Sequence, residues 1–221
     1  MAYKLASGIT NPDPQEWKSD ELSLNMVADY KPFVMVDGPG VRCSLYVSGC
    51  KFSCPGCYNV VAQQFQYGQP YSGELEERVM ADLRHDYVQG LTLLGGEPFL
   101  NTGVTLALAK RIRAEFGRKK DIWAWTGYTW EELLEETADK KALLQEIDVV
   151  VDGRFVQALM DLTLRFRGSS NQRMIDVQAS LAAGEIVLWQ DDFQAKMDAG
   201  TNGTNDKNIM SQMRGSDIGR K

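Results

Sequence analysis

Residues 41–59 read VRCSLYVSGCKFSCPGCYN, a strand pattern that runs directly into a loop with three cysteines. Every second residue from Val41 to Val47 is apolar, and this alternation predicts a β-strand with one buried face. Cys43 lies on the apolar face, where a free cysteine behaves as a small hydrophobic residue. The stretch therefore predicts a cysteine loop that starts at the end of a buried strand.

The cysteines of this loop, Cys50, Cys54 and Cys57, have the spacing Cys-x3-Cys-x2-Cys and are three of only four in the chain. Cysteine thiolates bind iron–sulfur clusters, and a cluster that only carries electrons usually has four of them. Three thiolates can hold three irons of a cubane and leave the fourth open. The spacing therefore predicts a cluster that also binds another molecule.

Other uses of these cysteines fit less well. A structural zinc site needs four N or S ligands, usually in two pairs, and the remaining candidates Cys43 and His85 lack that spacing. A redox disulfide between Cys54 and Cys57 would leave Cys50 without a role. A secreted disulfide framework is disfavoured because the chain is long, has few cysteines and opens without an apolar leader. His85 is expected to be a solvated residue late in a surface helix.

Composition limits the possible partners. The 221 residues allow one sizeable domain or two small ones, and 43% hydrophobic residues suit an ordinary core. No apolar run approaches the roughly 18–20 residues that span a bilayer, so no membrane association is expected. The net charge of −6 disfavours nucleic acid as a partner, and the basic residues between Lys110 and Lys120 are expected on a helix face and its exit turn. The chain opens without a signal peptide or lipidation motif, so a cytoplasmic location, where thiols stay reduced, is expected.

Strand and helix patterns alternate along the chain. Predicted strands after the first one are 91–95, 121–125, 147–151, 162–166 and 185–189. Predicted helices are about 74–86, 102–116, one that begins at the capping box of Thr129 and Glu132, and about 176–182. This alternation predicts an α/β fold, with a parallel sheet and helices outside it.

Three segments are expected from the change in composition along the chain. Residues 1–28 are polar and contain two early prolines, which indicates an irregular N-terminal extension. Residues 29–193 contain the alternating elements and form the predicted domain. Residues 194–221 contain no aromatic residue and are rich in Gly, Asn, Asp and Lys, which predicts a flexible C-terminal tail.

The unusual motifs all follow predicted strands, and ligands of parallel sheets bind at the carboxyl ends of the strands. These motifs are the cysteine loop, GGEP at 95–98, TGY at 126–128, DGRF at 152–155 and RGSSNQR at 167–173. Gly95 and Gly96 have no Cβ and let the backbone approach a ligand closely, although such a pair before proline also forms ordinary turns. The motifs therefore predict one site at one edge of the sheet.

The same motifs resemble a known family. Cys-x3-Cys-x2-Cys is the signature of radical S-adenosylmethionine (SAM) enzymes, and VDGPGVRCSLYVSGC at 36–50 is similar to the entry of glycyl-radical activating enzymes. Together with TGYTWEELLEE at 126–136, DVVVDGRF at 148–155 and FRGSSNQRMIDV at 166–177, the chain resembles the activating subunits of anaerobic (class III) ribonucleoside-triphosphate reductases. The resemblance covers about residues 30–190.

The resemblance implies a partial (β/α)6 barrel of the radical SAM type, with an open side that admits a large partner. It implies reductive cleavage of SAM at a 4Fe–4S cluster on Cys50, Cys54 and Cys57, with a low-potential electron donor. The resulting 5′-deoxyadenosyl radical would take a hydrogen atom from a glycine in the large subunit of the reductase. Two alternatives remain: an activase of another glycyl-radical enzyme of the formate-lyase type, and a non-catalytic metal-binding assembly module.

The resemblance also implies a set of cofactor-binding residues. SAM would contact the backbone of Gly56, Cys57 and Tyr58 and the turn formed by Gly95, Gly96, Glu97 and Pro98. Thr126 and Asp152 would bind a monovalent cation beside the SAM carboxylate, although Asp152 could equally cap the turn at Gly153. The ring of Tyr58 could contact adenine or pack in the core, and Glu97 could bind the SAM ammonium or hold the turn.

Two further groups carry expectations without individual roles. Arg42 is expected to orient the entry loop through carbonyl or carboxylate contacts, in a loop where Pro39 replaces a glutamate frequent in relatives. The polar residues after the predicted strand at 162–166 are expected near SAM or the glycine loop of the partner: Arg167, Ser169, Asn171, Gln172 and Arg173.

Overall fold

The computed structural model describes residues 16–190 and has a seven-stranded mixed sheet at its centre. In chain order the strands are β1 (Met26–Val34), β2 (Val41–Val47), β3 (Gln69–Pro70), β4 (Val88–Gly95), β5 (Asp121–Trp125), β6 (Val149–Asp152) and β7 (Arg173–Asp176). Their spatial order is β3-β1-β2-β4-β5-β6-β7. Strands β2, β4, β5 and β6 run parallel, while β1, β3 and β7 pair antiparallel at the two edges. The prediction of an α/β fold with parallel strands is confirmed.

The α-helices of the described residues are α1 (Ser19–Leu22), α2 (Gly73–Leu83), α3 (Thr102–Phe116), α4 (Trp130–Glu135), α5 (Ala138–Glu146) and α6 (Val177–Ala183). Helices α2 to α5 lie between successive parallel strands, whereas α1 precedes β1 and α6 follows β7. Short 3₁₀ turns cover Val61–Gln63, Pro98–Leu100 and Gln157–Leu159. Helix α3 ends at Gly117, whose φ of 59° suits a residue without a Cβ. The capping box of Thr129 and Glu132 is present at the start of α4.

The apolar core lies on one face of the sheet, beneath the helices. Pairing register places Cys43 beside Leu91 and Leu45 beside Leu93, and all four side chains are fully buried. The expectation that Cys43 is a small buried residue is confirmed. The core continues through Ile122, Ala124 and Val150 and is covered by Val104, Leu108 and Ile112 of α3. The basic residues of α3 and its exit turn form ion pairs within the protein: Arg111 with Glu76, and Arg113 and Arg118 with Asp148.

The opposite face of the sheet is built around Arg42, which is fully buried. Its guanidinium lies 2.6 Å from the Asp121 carboxylate and 5.4 Å from the Trp123 ring, and it donates to the Leu91 carbonyl at 2.8 Å. A further bond of 3.5 Å reaches the carbonyl of Pro39 in the entry loop. Arg42 therefore contacts the entry loop through the Pro39 carbonyl, while the carboxylate that it meets belongs to β5 and not to the loop.

Three details of the predicted element order are wrong. Residues 162–166 form turns, in which Leu162 is 90% exposed and Phe166 has a φ of 54°. The strand in this region is β7. The predicted strand at 185–189 is reduced to one bridge between Leu188 and Ile175. The extension expected to be irregular to residue 28 contains α1 and the start of β1. The Ser19 hydroxyl, at the start of α1, accepts a bond of 2.9 Å from the Thr102 amide.

The segments proposed at the chain ends fall mainly outside the described residues. The tail proposed over 194–221, and the extension as far as residue 15, are among the residues left undescribed. The domain boundaries at 28 and 193 therefore stay proposals. Between residues 16 and 190, no helix has the length and apolar character needed to cross a membrane.

Lys140 and Glu136 of the α4–α5 region form a buried ion pair. The Lys140 ammonium is fully buried and bonds the Glu136 carboxylate at 2.9 Å, the Tyr128 hydroxyl at 3.1 Å and the Trp17 carbonyl at 2.6 Å. Lys140→Met should lower the free energy of unfolding by about 3–5 kcal/mol, because Glu136 keeps its buried charge without its partner. Urea denaturation measures the loss.

The double variant Lys140→Met, Glu136→Gln provides the control, since it removes both charges together. It should recover most of the stability lost in the single variant. Equal losses in the two variants would show that packing, and not the uncompensated carboxylate, causes the effect.

Candidate functional site

The loops that follow the four parallel strands contact one another in a closed ring. We call residues 48–59, 96–98, 126–129 and 153–157 the carboxyl-end loops; they follow β2, β4, β5 and β6 respectively. The sequence predicted that motifs in these loops share one edge of the sheet, and the structure confirms it. The RGSSNQR motif lies at the same edge, because it precedes β7 and that strand runs antiparallel to β6.

The first contact joins the cysteine loop to the GGEP turn. The Gly96 amide donates to the Val47 carbonyl at 2.7 Å, and the Glu97 amide donates to the Gly49 carbonyl at 2.8 Å. A Cβ on Gly96 would lie 2.6 Å from the Gly49 oxygen, and one on Gly95 would lie 2.6 Å from the Val47 oxygen. Both glycines are therefore required for the close approach of two backbone segments.

The second contact joins the GGEP turn to the loop after β5 through the Glu97 side chain. One carboxylate oxygen accepts from the Thr126 hydroxyl at 2.8 Å and the Phe99 amide at 3.1 Å, and the other accepts from the Gly127 amide at 2.8 Å. Pro98, also buried, opens the 3₁₀ turn that follows. Of the two roles considered for Glu97, these contacts favour holding the turn.

Burial raises the pKa of Glu97 to about 7, although its three hydrogen bonds oppose the shift. Between pH 4.5 and about 7, the folded protein keeps the Glu97 proton, whereas the unfolded chain has lost it. The free energy of unfolding should therefore fall as the pH rises through this range. The change amounts to about 3 kcal/mol over that range. Glu97→Gln should remove this fall, and urea denaturation of the cluster-free protein across the range measures it. A pH slope shared by both proteins would contradict the assignment to Glu97.

The third contact joins the loops after β5 and β6. The Gly153 amide donates to the Tyr128 carbonyl at 2.7 Å, and the Trp130 amide donates to the buried Asp152 carboxylate at 2.8 Å. Arg173 bonds the same carboxylate through its Nε at 3.0 Å. The positive charge beside Asp152 in this structure is therefore a guanidinium, and Asp152 caps the start of α4.

The fourth contact closes the ring between the β6 loop and the cysteine loop. The Arg154 guanidinium lies 4.6 Å from the Phe52 ring. The buried Phe52 ring also meets Tyr128 edge-on at 4.9 Å and Trp17 at 5.1 Å. Phe52 therefore anchors the middle of the cysteine loop to the ring beneath it.

The three loop cysteines fit an iron–sulfur cluster. All are free thiols and half-buried, so the disulfide alternative has no support here. Burial raises the pKa of the Cys50 and Cys54 thiols, so a metal would have to displace their protons. Within residues 16–190, no three His, Cys, Asp or Glu side chains converge on one metal position. A cubane does not require convergence, since each thiolate binds a different iron.

The other predicted site residues take varied positions. Tyr58 is 97% exposed, so its ring is available at the surface and does not pack in the core. Gly56 adopts a φ of 76° and lies against the Gln157 side chain. Thr126 is buried and occupied by its bonds to Glu97 and to the Tyr128 amide. The predicted cation contact of Thr126 and Asp152 stays a proposal.

The polar set after the turns at 162–166 shapes the loop between β6 and β7. Gln172 accepts from the Gly168 amide at 2.9 Å and donates to the Gly153 carbonyl at 3.0 Å. Asn171 donates to the Arg154 carbonyl at 2.8 Å, and the Ser169 hydroxyl accepts from the Val156 amide at 3.2 Å. Arg167 donates to the Gln172 carbonyl at 3.1 Å. Their observed bonds are internal to this region.

Sequence reasoning did not single out the residues that support the cysteine loop. Phe52, Arg154, Tyr128 and Lys140 form one stack of rings and cations, with the Lys140 ammonium 5.0 Å from the Tyr128 ring. Phe52, Tyr128 and Arg154 lie inside the cysteine loop, TGY and DGRF motifs, and this position in a motif is the sequence signal that could have indicated them. Their mutual contacts join residues far apart in sequence, so no local pattern could pair them.

Comparisons with known proteins agree with this geometry. Residues 36–175 match the model of a family described as a 4Fe-4S single cluster domain. An anaerobic ribonucleoside-triphosphate reductase-activating protein of Salmonella typhi is 47% identical over 147 residues, which cover 65% of this chain and 93% of the relative. Proteins of the same name are 46% identical in Escherichia coli strain K12 and 37% identical in Enterobacteria phage T4, covered to 93% and 88%.

The matched family region, residues 36–175, contains the cysteine loop and every carboxyl-end loop. The relatives are matched over nearly their whole lengths, so the likeness extends beyond the cysteine motif. The chain therefore belongs to the family of anaerobic ribonucleoside-triphosphate reductase-activating proteins.

Proposed function

We propose that this chain cleaves SAM reductively at a 4Fe–4S cluster and takes a hydrogen atom from a glycine of anaerobic ribonucleoside-triphosphate reductase. The observation that carries the proposal is the closed ring of carboxyl-end loops, which presents three free cysteines at the ligand-binding edge of a parallel sheet. The names of the relatives supply the reductase as the protein partner. A low-potential electron donor is a further partner, and a cytoplasmic location stays a prediction.

Within this function, Cys50, Cys54 and Cys57 would hold three irons of the cluster. When bound, the cluster supplies the electron that breaks a C–S bond of SAM. The protein positions the ligand and excludes water. The backbone of Gly56, Cys57 and Tyr58 would bind the adenine, and Gly95 and Gly96 would expose backbone groups to the methionyl amino group.

The proposed fold of the ligand-binding unit is a partial (β/α)6 barrel. Its support is the run of parallel strands β2, β4, β5 and β6, together with the contact between the loops that follow the first and the last of them. The buried face around Arg42 and Trp123 would be the interior of such a barrel. A monovalent cation at Thr126 and Asp152 remains part of the proposal, and it would have to share Asp152 with Arg173.

The test is anaerobic reconstitution with iron and sulfide, followed by electron paramagnetic resonance of the reduced protein with and without SAM. A 4Fe–4S signal that changes shape with SAM, 5′-deoxyadenosine formation, and a glycyl radical on added reductase are the expected results. A cluster indifferent to SAM would favour the assembly module. SAM cleavage that gives a radical on a formate-lyase type enzyme, and none on the reductase, would favour the alternative activase.

A further inference from the structure

The loop between β6 and β7 exposes apolar side chains that its sequence pattern would bury. We call residues 156–170 the β6–β7 arm. Leu162 is 90% exposed, Met160 is 54% exposed and Leu159 is 40% exposed. The alternating pattern at 162–166 predicted a buried strand, yet no element of the described chain covers Leu162. Disagreement between local pattern and structure is expected where a surface serves another purpose.

The arm is an ordered structure, held at both ends and in the middle. Met160 pairs with Ser169 in an antiparallel bridge, and the Ser170 amide donates to the Leu159 carbonyl at 2.9 Å. The Phe166 ring packs edge-on against Trp123 at 5.7 Å. The Phe166 backbone carbonyl accepts a bond from the Trp125 indole at 3.1 Å. The exposure of Leu162 is therefore imposed by a fixed backbone.

The arm also borders the cysteine loop directly. The Gln157 side chain lies against Gly56, where an added Cβ would be 3.1 Å from it. Three residues before Gln157, the Arg154 guanidinium lies 4.6 Å from the ring of Phe52 in the cysteine loop. The exposed apolar residues thus follow, within a few residues along the chain, the segment that contacts the cysteine loop. A molecule that covers them would also approach the proposed cluster.

The charge of the arm differs from that of the chain. It carries Arg165 and Arg167 against a single acidic residue, Asp161, whereas the whole chain has a net charge of −6. The Asp161 carboxylate is used locally, because it accepts from the Thr163 amide and hydroxyl at 2.8 and 2.7 Å. An apolar surface with basic flanks suits a polypeptide that presents apolar side chains next to a carboxylate.

We propose that the β6–β7 arm is the docking surface for the reductase, occupied by a loop of its large subunit with apolar side chains and an adjacent acidic residue. The inference rests on the proposed function, because the relatives' names identify the reductase as the protein that is activated. It adds the place of contact: Leu159, Met160 and Leu162 are covered in the complex.

The experiment compares the full-length, cluster-loaded double variant Met160→Ser, Leu162→Ser with the wild-type protein. Anaerobic calorimetry measures the affinity for the reductase large subunit, and 5′-deoxyadenosine formation without the reductase measures the chain's own chemistry. The double variant should bind the reductase at least about tenfold more weakly, since a few residues near the centre of an interface account for most of its affinity. SAM cleavage should stay at the wild-type rate. Leu181→Ser, at a 39% exposed leucine of α6, is the matched control and should bind normally.

The possible failures are distinguishable. Wild-type affinity in the double variant would overturn the docking proposal and leave the proposed function intact. No reductase binding by the wild-type protein would instead overturn the choice of partner.

Discussion

Cys54→Ala should leave the protein without its 4Fe–4S cluster and reduce SAM cleavage to background. The structure places the Cys54 thiol on the cysteine loop beside Cys50 and Cys57, where two remaining thiolates would be too few to retain a cubane. Cys43→Ala should retain the cluster, because Cys43 is a fully buried residue of β2 that packs in the core and lies outside the cysteine loop. The pair therefore separates a ligand from a structural cysteine in one chain.

Iron and acid-labile sulfide analysis after anaerobic reconstitution measures this difference. Wild-type protein and Cys43→Ala should each hold about four irons per chain, and Cys54→Ala should hold fewer than about one. Far-ultraviolet circular dichroism checks that both variants are folded. Full iron content in Cys54→Ala would show that another residue completes the site, and the three-ligand assignment would then be wrong.

The sequence could predict those features of the fold that depend on local patterns. The alternation from Val41 to Val47 and the apolar run ending at Gly95 identified β2 and β4, because both strands have a face that packs under helices. The Thr129 capping box and Gly117 marked helix ends through backbone bonds within a few residues. Such signals need no knowledge of distant contacts.

The features that the sequence could not predict depend on tertiary contacts. The apolar alternation at 162–166 looks like a strand, but β6 pairs with β7 and leaves those residues in turns. The roles of Glu97 and Asp152 were open, since either carboxylate could face a ligand. Both are buried and bonded to groups distant in sequence: Glu97 to Thr126 and Gly127, and Asp152 to Trp130 and Arg173. Only the assembled ring of loops decides between a support and a ligand.

The ring also explains why a single methyl group in the GGEP turn should be damaging. Gly96→Ala would place a Cβ 2.6 Å from the Gly49 carbonyl and 2.7 Å from the Ala62 carbonyl, two backbone atoms that cannot turn aside. The turn must then move away from the base of the cysteine loop, at a cost of about 1–3 kcal/mol of stability. A displacement of about 1 Å at a reacting centre can lower the rate about a hundredfold.

We therefore expect Gly96→Ala to lose SAM binding and cleavage while it remains folded. Gly73→Ala is the matched control: Gly73 opens α2, has no heavy atom within 4 Å of an added Cβ, and should gain stability by up to about 1 kcal/mol. Thermal unfolding, and the change in the electron paramagnetic resonance signal on adding SAM, measure the two effects separately. If Gly96→Ala gave the same SAM-dependent signal as the wild-type protein, the GGEP turn would be a structural turn alone, and SAM would have to bind elsewhere on the carboxyl-end loops.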